Sequence, residues 1–210
     1  MSSIQSEPVR LREAYRRVIK LTMIVTFACM LGLAAIAKPL IILLIGEKWL
    51  PAVPFLQIIC FSGMLYPLHA INLNILQVKG RSDLYLKLEI IKKIIAVITI
   101  FIGIFWGIEC MLWGGVFVSF ISFFLNSYYS ADLIDYSTKN QISDIFPFLI
   151  ISLIVSFCIW LISFTEWSYI IILIIQIIVG IGLYWFISEK LPMQEYQEVR
   201  QLVFSLFKKK

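Results

Sequence analysis

Long stretches of almost purely apolar sequence recur along the chain, and the short segments between them carry most of the charge. A helix of roughly 18 or more apolar residues can cross a hydrocarbon core about 30 Å thick. The pattern predicts six transmembrane helices, over residues 21–45, 54–78, 94–106, 110–131, 145–165 and 167–188. The third is apolar only in its second half, so we expect it to begin in the interface and then enter the bilayer. Pro39 should break the first near its end.

Composition supports this interpretation. The 210-residue chain is 60% hydrophobic and 15% charged, outside the normal range of soluble globular domains. We therefore predict an all-α polytopic membrane protein. The charged, amphipathic first 20 residues do not resemble a cleavable signal peptide.

The distribution of positive charge predicts the orientation, because cytoplasmic flanks are enriched in Lys and Arg. Basic residues precede the first span, separate the second from the third and the fourth from the fifth, and follow the sixth. Only Lys38 and Lys48 fall on the opposite side, where the short loops carry Glu47, Glu109 and Glu166. We expect six crossings with both termini in the cytoplasm.

Little in the sequence favours an enzyme. The chain has one histidine and lacks a glycine-rich phosphate loop, a Ser/His/Asp set and a carboxylate pair suited to hydrolysis. Its four cysteines fall in predicted spans without the spacing of a metal site or a disulfide framework, and we interpret them as packing residues: Cys29, Cys60, Cys110 and Cys158. We expect no catalytic residue, metal, cofactor or nucleic-acid partner.

Polar residues interrupt the second span. At about 100° per residue, one helix face carries Ser62, Tyr66 and His69, with Asn72 and Gln77 at its margins and Asn74 elsewhere. In lipid such groups must face other helices or a wet cavity. Three interpretations stay open: hydrogen bonds between helices, a transport cavity lined by Tyr66, His69 and Asn72 with a bend at Pro67, or a misplaced span.

A cytoplasmic basic rim follows this span and contains Lys79, Arg81, Lys87, Lys92 and Lys93. These residues could simply anchor the chain to anionic headgroups. Alternatively, some attract a diphosphate group, for which ammonium and guanidinium groups are suitable partners. Arg81 is the best candidate, because Gly80 permits a tight turn before it and Asp83 could begin the next helix.

The run LLIGEKWLPAVPFLQIICFSGMLYPLHAINLNILQVKGRSDLYLKLEIIKK, residues 43–93, resembles the C-terminal half of bacterial polysaccharide exporters of the Wzx type. These are O-antigen and lipopolysaccharide flippases of the multidrug/oligosaccharidyl-lipid/polysaccharide exporter superfamily. Three features carry the resemblance: GEKW followed by Pro51 and Pro54, the YPLHAINLNIL core, and the KGRSD turn. The opening residues 2–20 also resemble the amphipathic lead into a helix of the second lobe.

The resemblance implies a fold and an activity. Such flippases have about fourteen helices, in two lobes plus an extra pair, and move an undecaprenyl-diphosphate-linked oligosaccharide across the bacterial inner membrane by alternating access. Six spans would correspond to the last six. The chain would then lack an N-terminal lobe, present in the same or a separate chain. Tyr66, His69, Asn72 and Arg81 are placed in the substrate cavity by their position alone.

We divide the chain into a cytoplasmic amphipathic lead-in (1–20), four helices of a C-terminal transporter lobe (21–135), two accessory transmembrane helices facing lipid (136–190) and a cytoplasmic amphipathic basic tail (191–210). Membrane lipid and a lipid-linked oligosaccharide are the expected ligands. The rival function is a non-transporting membrane scaffold or accessory subunit. A membrane glycosyltransferase or polymerase would need a large soluble catalytic loop, which the sequence lacks.

Overall fold

The computed structural model describes residues 8–190 and Tyr196, and the prediction of an all-helical membrane protein is confirmed over this part of the chain. Residues 1–7 of the lead-in and, apart from Tyr196, the basic tail lie outside it. The helices are α1 (Pro8–Ala35), α2 (Ala37–Ile45), α3 (Val53–Gly63), α4 (Tyr66–Val78), α5 (Ser82–Trp106), α6 (Ile108–Ile134), α7 (Thr138–Leu161) and α8 (Tyr169–Lys190), with short 3₁₀ segments at Glu47–Ala52 and Ile162–Phe164.

Prolines divide the first two predicted spans. The break between α1 and α2 falls at Ile36, because Pro39 lacks the N–H that would bond the carbonyl of Ala35. In the same way, Pro67 removes the donor for the carbonyl of Gly63, and residues 64–65 form a turn between α3 and α4. The expected break at Pro39 is confirmed, displaced about one turn toward the N-terminus, and the turn before Pro67 lies where the transport-cavity interpretation expected a bend.

Five helical stretches are long and apolar enough to cross a membrane: Val9–Ala35, Glu47–Val78, Ile108–Ile134, Thr138–Phe164 and Tyr169–Ile187. They correspond to five of the six predicted spans. Helix α5 has 25 residues, a length of about 37 Å. Its first half is charged and it is not among the five. The third predicted span, residues 94–106, therefore stays a prediction.

Helix α1 lies at the centre of the core and packs against α3, α4 and α7. Its buried side chains include Tyr15, Met23 and Phe27, which lie in one cluster with Phe148 of α7. We expected α7 to face lipid, but it buries a whole face against α1. Helix α8 packs mainly against α2 and α7 and leaves most of its apolar side chains exposed.

Helices α5 and α6 form a closely packed antiparallel hairpin. They are joined at Gly107, whose φ of +93° is available to glycine at little steric cost. A Cβ added to Gly114 would lie 2.9 Å from Cγ2 of Thr99, and one added to Gly103 would lie 2.7 Å from Cβ of Met111. The small residues therefore allow the two helix backbones to approach.

Polar contacts show which helix ends lie together. The Arg12 guanidinium donates to the Asp135 carboxylate at 2.9 Å, which joins the start of α1 to the connection between α6 and α7. Asn72 bonds Gln141 and thereby places the second half of α4 beside the start of α7. The segments that carry most of the positive charge thus share one end of the bundle.

Candidate functional site

A cleft of about 440 Å³ opens between α4, α5 and α6. It is lined by Tyr66, His69, Ala70, Leu73 and Asn74 of α4, Tyr85, Glu89, Lys92, Lys93 and Ala96 of α5, and Val118 and Ser122 of α6. On both α4 and α5 the lining positions recur every three or four residues, the spacing of one helix face. One continuous face of each helix therefore forms a wall of the cleft.

His69 connects α4 to α6 through a chain of hydrogen bonds. Its Nε2 lies 3.0 Å from Ser119 Oγ, and the Ser119 hydroxyl donates to the Ser62 carbonyl at 3.0 Å. Because that hydroxyl has one proton, Nε2 must be the donor toward Ser119. The second ring nitrogen, Nδ1, is buried and has no hydrogen-bond partner among the described residues. His69 is thus held in one orientation and keeps an unused polar atom.

Helix α5 contributes the charge of the cleft. Lys92 forms an ion pair with Glu89, and their side chains are 13% and 31% exposed. Lys93, the next residue, is exposed and also lines the cleft. Lys92 lies ten residues after Ser82, where α5 begins, about 15 Å along the axis. Both lysines therefore line the same cleft as His69, just before the purely apolar half of α5 begins.

The other predicted rim residues do not line the cleft. Lys87 is exposed on α5, and Lys79 caps the C-terminus of α4. Of the five rim positions, only Lys92 and Lys93 combine positive charge with a place in the cleft wall.

Asn72 lies in a different polar site. It is completely buried and faces α6 and α7, where its amide Nδ2 donates to Gln141 Oε1 at 3.0 Å. Its Oδ1 accepts hydrogen bonds from Gln141 Nε2 at 3.1 Å and from Ser130 Oγ at 2.7 Å. Asn72 thus has the contacts that the interhelical interpretation requires and does not line the cleft, whereas Asn74, which we had placed away from the stripe, does.

Arg81 also lies outside the cleft, in the exposed turn between α4 and α5. Gly80 adopts a φ of +70°, in agreement with the expected tight turn. The Arg81 guanidinium donates to both carboxylate oxygens of Asp83, at 3.1 and 3.0 Å. These hydrogen bonds hold the pKa of Asp83 below its ordinary value. Arg81 is therefore paired with Asp83 in the turn and does not share the cleft with Tyr66 and His69.

Sequence reasoning missed Glu89 and the serines of α6 that support the cleft. Residues 79–93 were interpreted as a basic rim because they contain five Lys and Arg residues, and Glu89 was not considered. The spacing of Tyr85, Glu89, Lys92 and Ala96 on one helix face was the available signal. Ser119 and Ser122 belong to the buried face of α6, whose partner could not be read from its own sequence.

The cleft therefore combines two ammonium groups, one carboxylate, an imidazole, two phenols and an amide among the described residues. Such a set suits an anionic ligand that also offers hydrogen-bonding groups. No cluster of three or more His, Cys, Asp and Glu residues suited to a metal ion occurs in the described part of the chain.

Comparison with known proteins supports the resemblance drawn from the sequence. Residues 1–54 match the family described as "Polysaccharide biosynthesis protein". The chain is 30% identical over 107 residues to an "Uncharacterized membrane protein in cps region" of Klebsiella pneumoniae. It is 28% identical over 142 residues to "Teichuronic acid biosynthesis protein TuaB" of Bacillus subtilis (strain 168), and 28% identical over 102 residues to "Lipopolysaccharide biosynthesis protein WzxC" of Escherichia coli (strain K12).

These matches cover 51%, 67% and 49% of this chain but only 22%, 29% and 21% of the respective relatives. The chain thus matches less than a third of each relative's length. No solved structure gives a significant match. The resemblance to Wzx-type polysaccharide exporters is confirmed at this level of identity.

Proposed function

We propose that this chain is the C-terminal part of a flippase that moves a diphosphate-linked oligosaccharide on a polyprenyl lipid across the bacterial inner membrane. The complete transporter would serve the synthesis of lipopolysaccharide or another surface polysaccharide. The relatives support this assignment, since two of them are named for teichuronic acid and lipopolysaccharide biosynthesis.

The observation that carries the proposal is the cleft between α4, α5 and α6. It brings Lys92 and Lys93, at the point where α5 becomes purely apolar, together with His69 of α4 in one cleft. Two ammonium groups can neutralise a diphosphate, and the phenol and amide of Tyr66 and Asn74 can bond sugar hydroxyls. A water-filled path for a charged, hydroxyl-rich headgroup needs this combination.

The exposed side of the same cleft supports contact with a further part of the transporter. Tyr66 is 71% exposed, and Lys93 and Asn74 are also exposed although they line the cleft. Polar side chains at membrane depth are stable only against protein or water. We therefore assign the open side of the cleft to an N-terminal lobe, in the same polypeptide or in a separate one.

The proposed arrangement places both termini in the cytoplasm. The bundle end formed by the start of α1, the α4–α5 turn and the α6–α7 connection would be cytoplasmic, because it carries most of the positive charge. We keep residues 21–135 as the transporter lobe and residues 136–190 as an added helix pair, of which α7 contributes to the core. The lead-in and the basic tail would lie on the cytoplasmic side, where the start of α1 packs into the core through Leu11 and Tyr15.

One observation is equally compatible with the rival function, a scaffold or accessory subunit without transport. The amides of Asn72 and Gln141 satisfy each other inside the bundle without any ligand. Such a closed network stabilises a bundle whether or not the bundle transports a substrate.

Genetic complementation distinguishes these functions. The chain would be expressed alone, and together with a candidate N-terminal lobe, in a strain that lacks its O-antigen flippase, and surface polysaccharide would be measured. We expect restoration only with the second lobe. The variant Lys92→Gln should abolish it, whereas Lys87→Gln, on the same helix but outside the cleft, should not. Stable insertion of both chains without any restoration would contradict the flippase function and favour the scaffold.

A further inference from the structure

Among the described residues, Glu89 is the only carboxylate in the lining of the cleft, and its position is unusual for a site suited to anions. It lies one turn before Lys92 on α5 and forms an ion pair with it. It is also four residues before Lys93, which places it within reach of either ammonium group on one helix face.

The ion pair has a clear role in the empty cleft. A lysine in a partly dehydrated site is costly unless a counter-charge lies beside it. Lys92 is the more enclosed of the two lysines, and it is the one paired with Glu89. Lys93 remains exposed to the cleft.

An anion that enters the cleft meets the same pair. A diphosphate that enters the cleft can contact the exposed Lys93 directly. To reach Lys92 it must compete with the Glu89 carboxylate for the same ammonium group, and two like charges beside one cation repel each other. The anionic ligand and Glu89 are therefore alternative partners of Lys92.

We infer that Glu89 is an internal competitor for the diphosphate group: it occupies Lys92 in the empty cleft, is displaced when the ligand binds, and favours release by returning. This role rests on the proposed function and adds to it a residue that limits affinity.

Ligand binding tests the inference directly. The full chain would be placed in nanodiscs of phosphatidylcholine, and the affinity for farnesyl diphosphate would be measured by isothermal titration calorimetry. Glu89→Gln should bind about tenfold more tightly than the unchanged protein, the ratio expected when a charged competitor is lost. Lys92→Gln should weaken binding, and the double variant Glu89→Gln/Lys92→Gln should behave like Lys92→Gln alone.

A matched control is Glu109→Gln, which removes an exposed carboxylate at the start of α6, outside the cleft, and should leave the affinity unchanged. Glu89→Ala serves as a second variant, and the elution profile of each protein in size-exclusion chromatography shows whether it is folded. Inorganic pyrophosphate distinguishes a free anion from a lipid headgroup. Tightening by Glu89→Gln with either ligand supports the competitor role, and tightening with farnesyl diphosphate alone adds a requirement for the lipid chain.

Two results would overturn the inference. The first leaves the proposed anion site intact, and the second contradicts that site as well. If Lys92→Gln weakens binding but both Glu89 variants match the unchanged protein, Glu89 is not a competitor and the proposed anion site stands. If no variant changes the affinity, or none of the proteins binds either ligand, the proposed anion site fails together with the role of Glu89.

Discussion

Asn72 and Gln141 bond each other through both ends of their amides: Asn72 Nδ2 donates to Gln141 Oε1 at 3.0 Å, and Gln141 Nε2 donates to Asn72 Oδ1 at 3.1 Å. Both side chains are completely buried. This reciprocal pair joins α4 to α7 across 69 residues of sequence. It therefore connects the helix that carries the cleft residues to the helix that forms the core with α1.

Loss of one amide of this pair should destabilise the bundle. We expect Asn72→Leu and Gln141→Leu each to cost about 1 kcal/mol, since the remaining amide is left buried without its partner. The double variant should cost less than the sum of the two. Apparent melting temperatures in detergent would measure this, and Gln77→Leu, at an exposed position of α4, is the control. Simple additivity of the two changes would contradict a direct coupling.

Asp144 should contribute more to stability than Asp135. The Arg16 guanidinium and the Tyr136 hydroxyl both donate to the Asp144 carboxylate, and Lys20 Nζ lies 3.5 Å from it. The Asp144 side chain is 9% exposed, whereas that of Asp135, which pairs with Arg12, is 96% exposed.

We expect Asp144→Asn to cost about 1–3 kcal/mol, because partly buried cations lose their counter-charge. Asp135→Asn should cost only a few tenths of a kcal/mol, since exposed pairs contribute little. Thermal unfolding of the two variants in the same detergent gives the comparison. Equal melting temperatures would show that the enclosed position of Asp144 adds nothing.

The adjacent glycines of α6 should respond differently to the same substitution. Gly114→Ala introduces a methyl group against Thr99, a β-branched residue with little freedom to move, whereas a Cβ on Gly115 meets no atom within 4 Å. Alanine improves helix propensity at both positions by up to about 1 kcal/mol, so the difference between them isolates the contact. We expect Gly114→Ala to be the less stable variant by about 1–2 kcal/mol. The same thermal assay measures it, and a more stable Gly114→Ala would contradict the close packing of α5 on α6.

Water access should distinguish His69 from its neighbour Leu68. In a chain whose native cysteines are replaced, we expect His69→Cys and Asn74→Cys to react with a membrane-permeant maleimide, because both positions line the cleft. Leu68→Cys is the matched control, since that side chain is fully buried on the same helix. Labelling rates measured in membranes would test this. Equal protection of all three positions would exclude a wet cleft.

The sequence by itself determined which segments are helical and where most of them cross a membrane. Each span requires only that its own residues be apolar enough to replace water by lipid, which is a local property. The breaks at Pro39 and Pro67 were equally local, because proline removes a hydrogen bond within its own helix. The tight turn at Gly80 followed from the same kind of argument.

Only the tertiary structure decided what each helix face meets. The angular position of Asn72 and Asn74 on α4 could be derived from the sequence, but not that Gln141 would lie opposite one and Lys93 beside the other. The position of α7 against α1, and of Glu89 and Lys92 inside the cleft, depended in the same way on contacts between distant segments. An apolar span satisfies the membrane on all sides, whereas the choice of helix neighbours follows from packing and hydrogen bonds that no single segment contains.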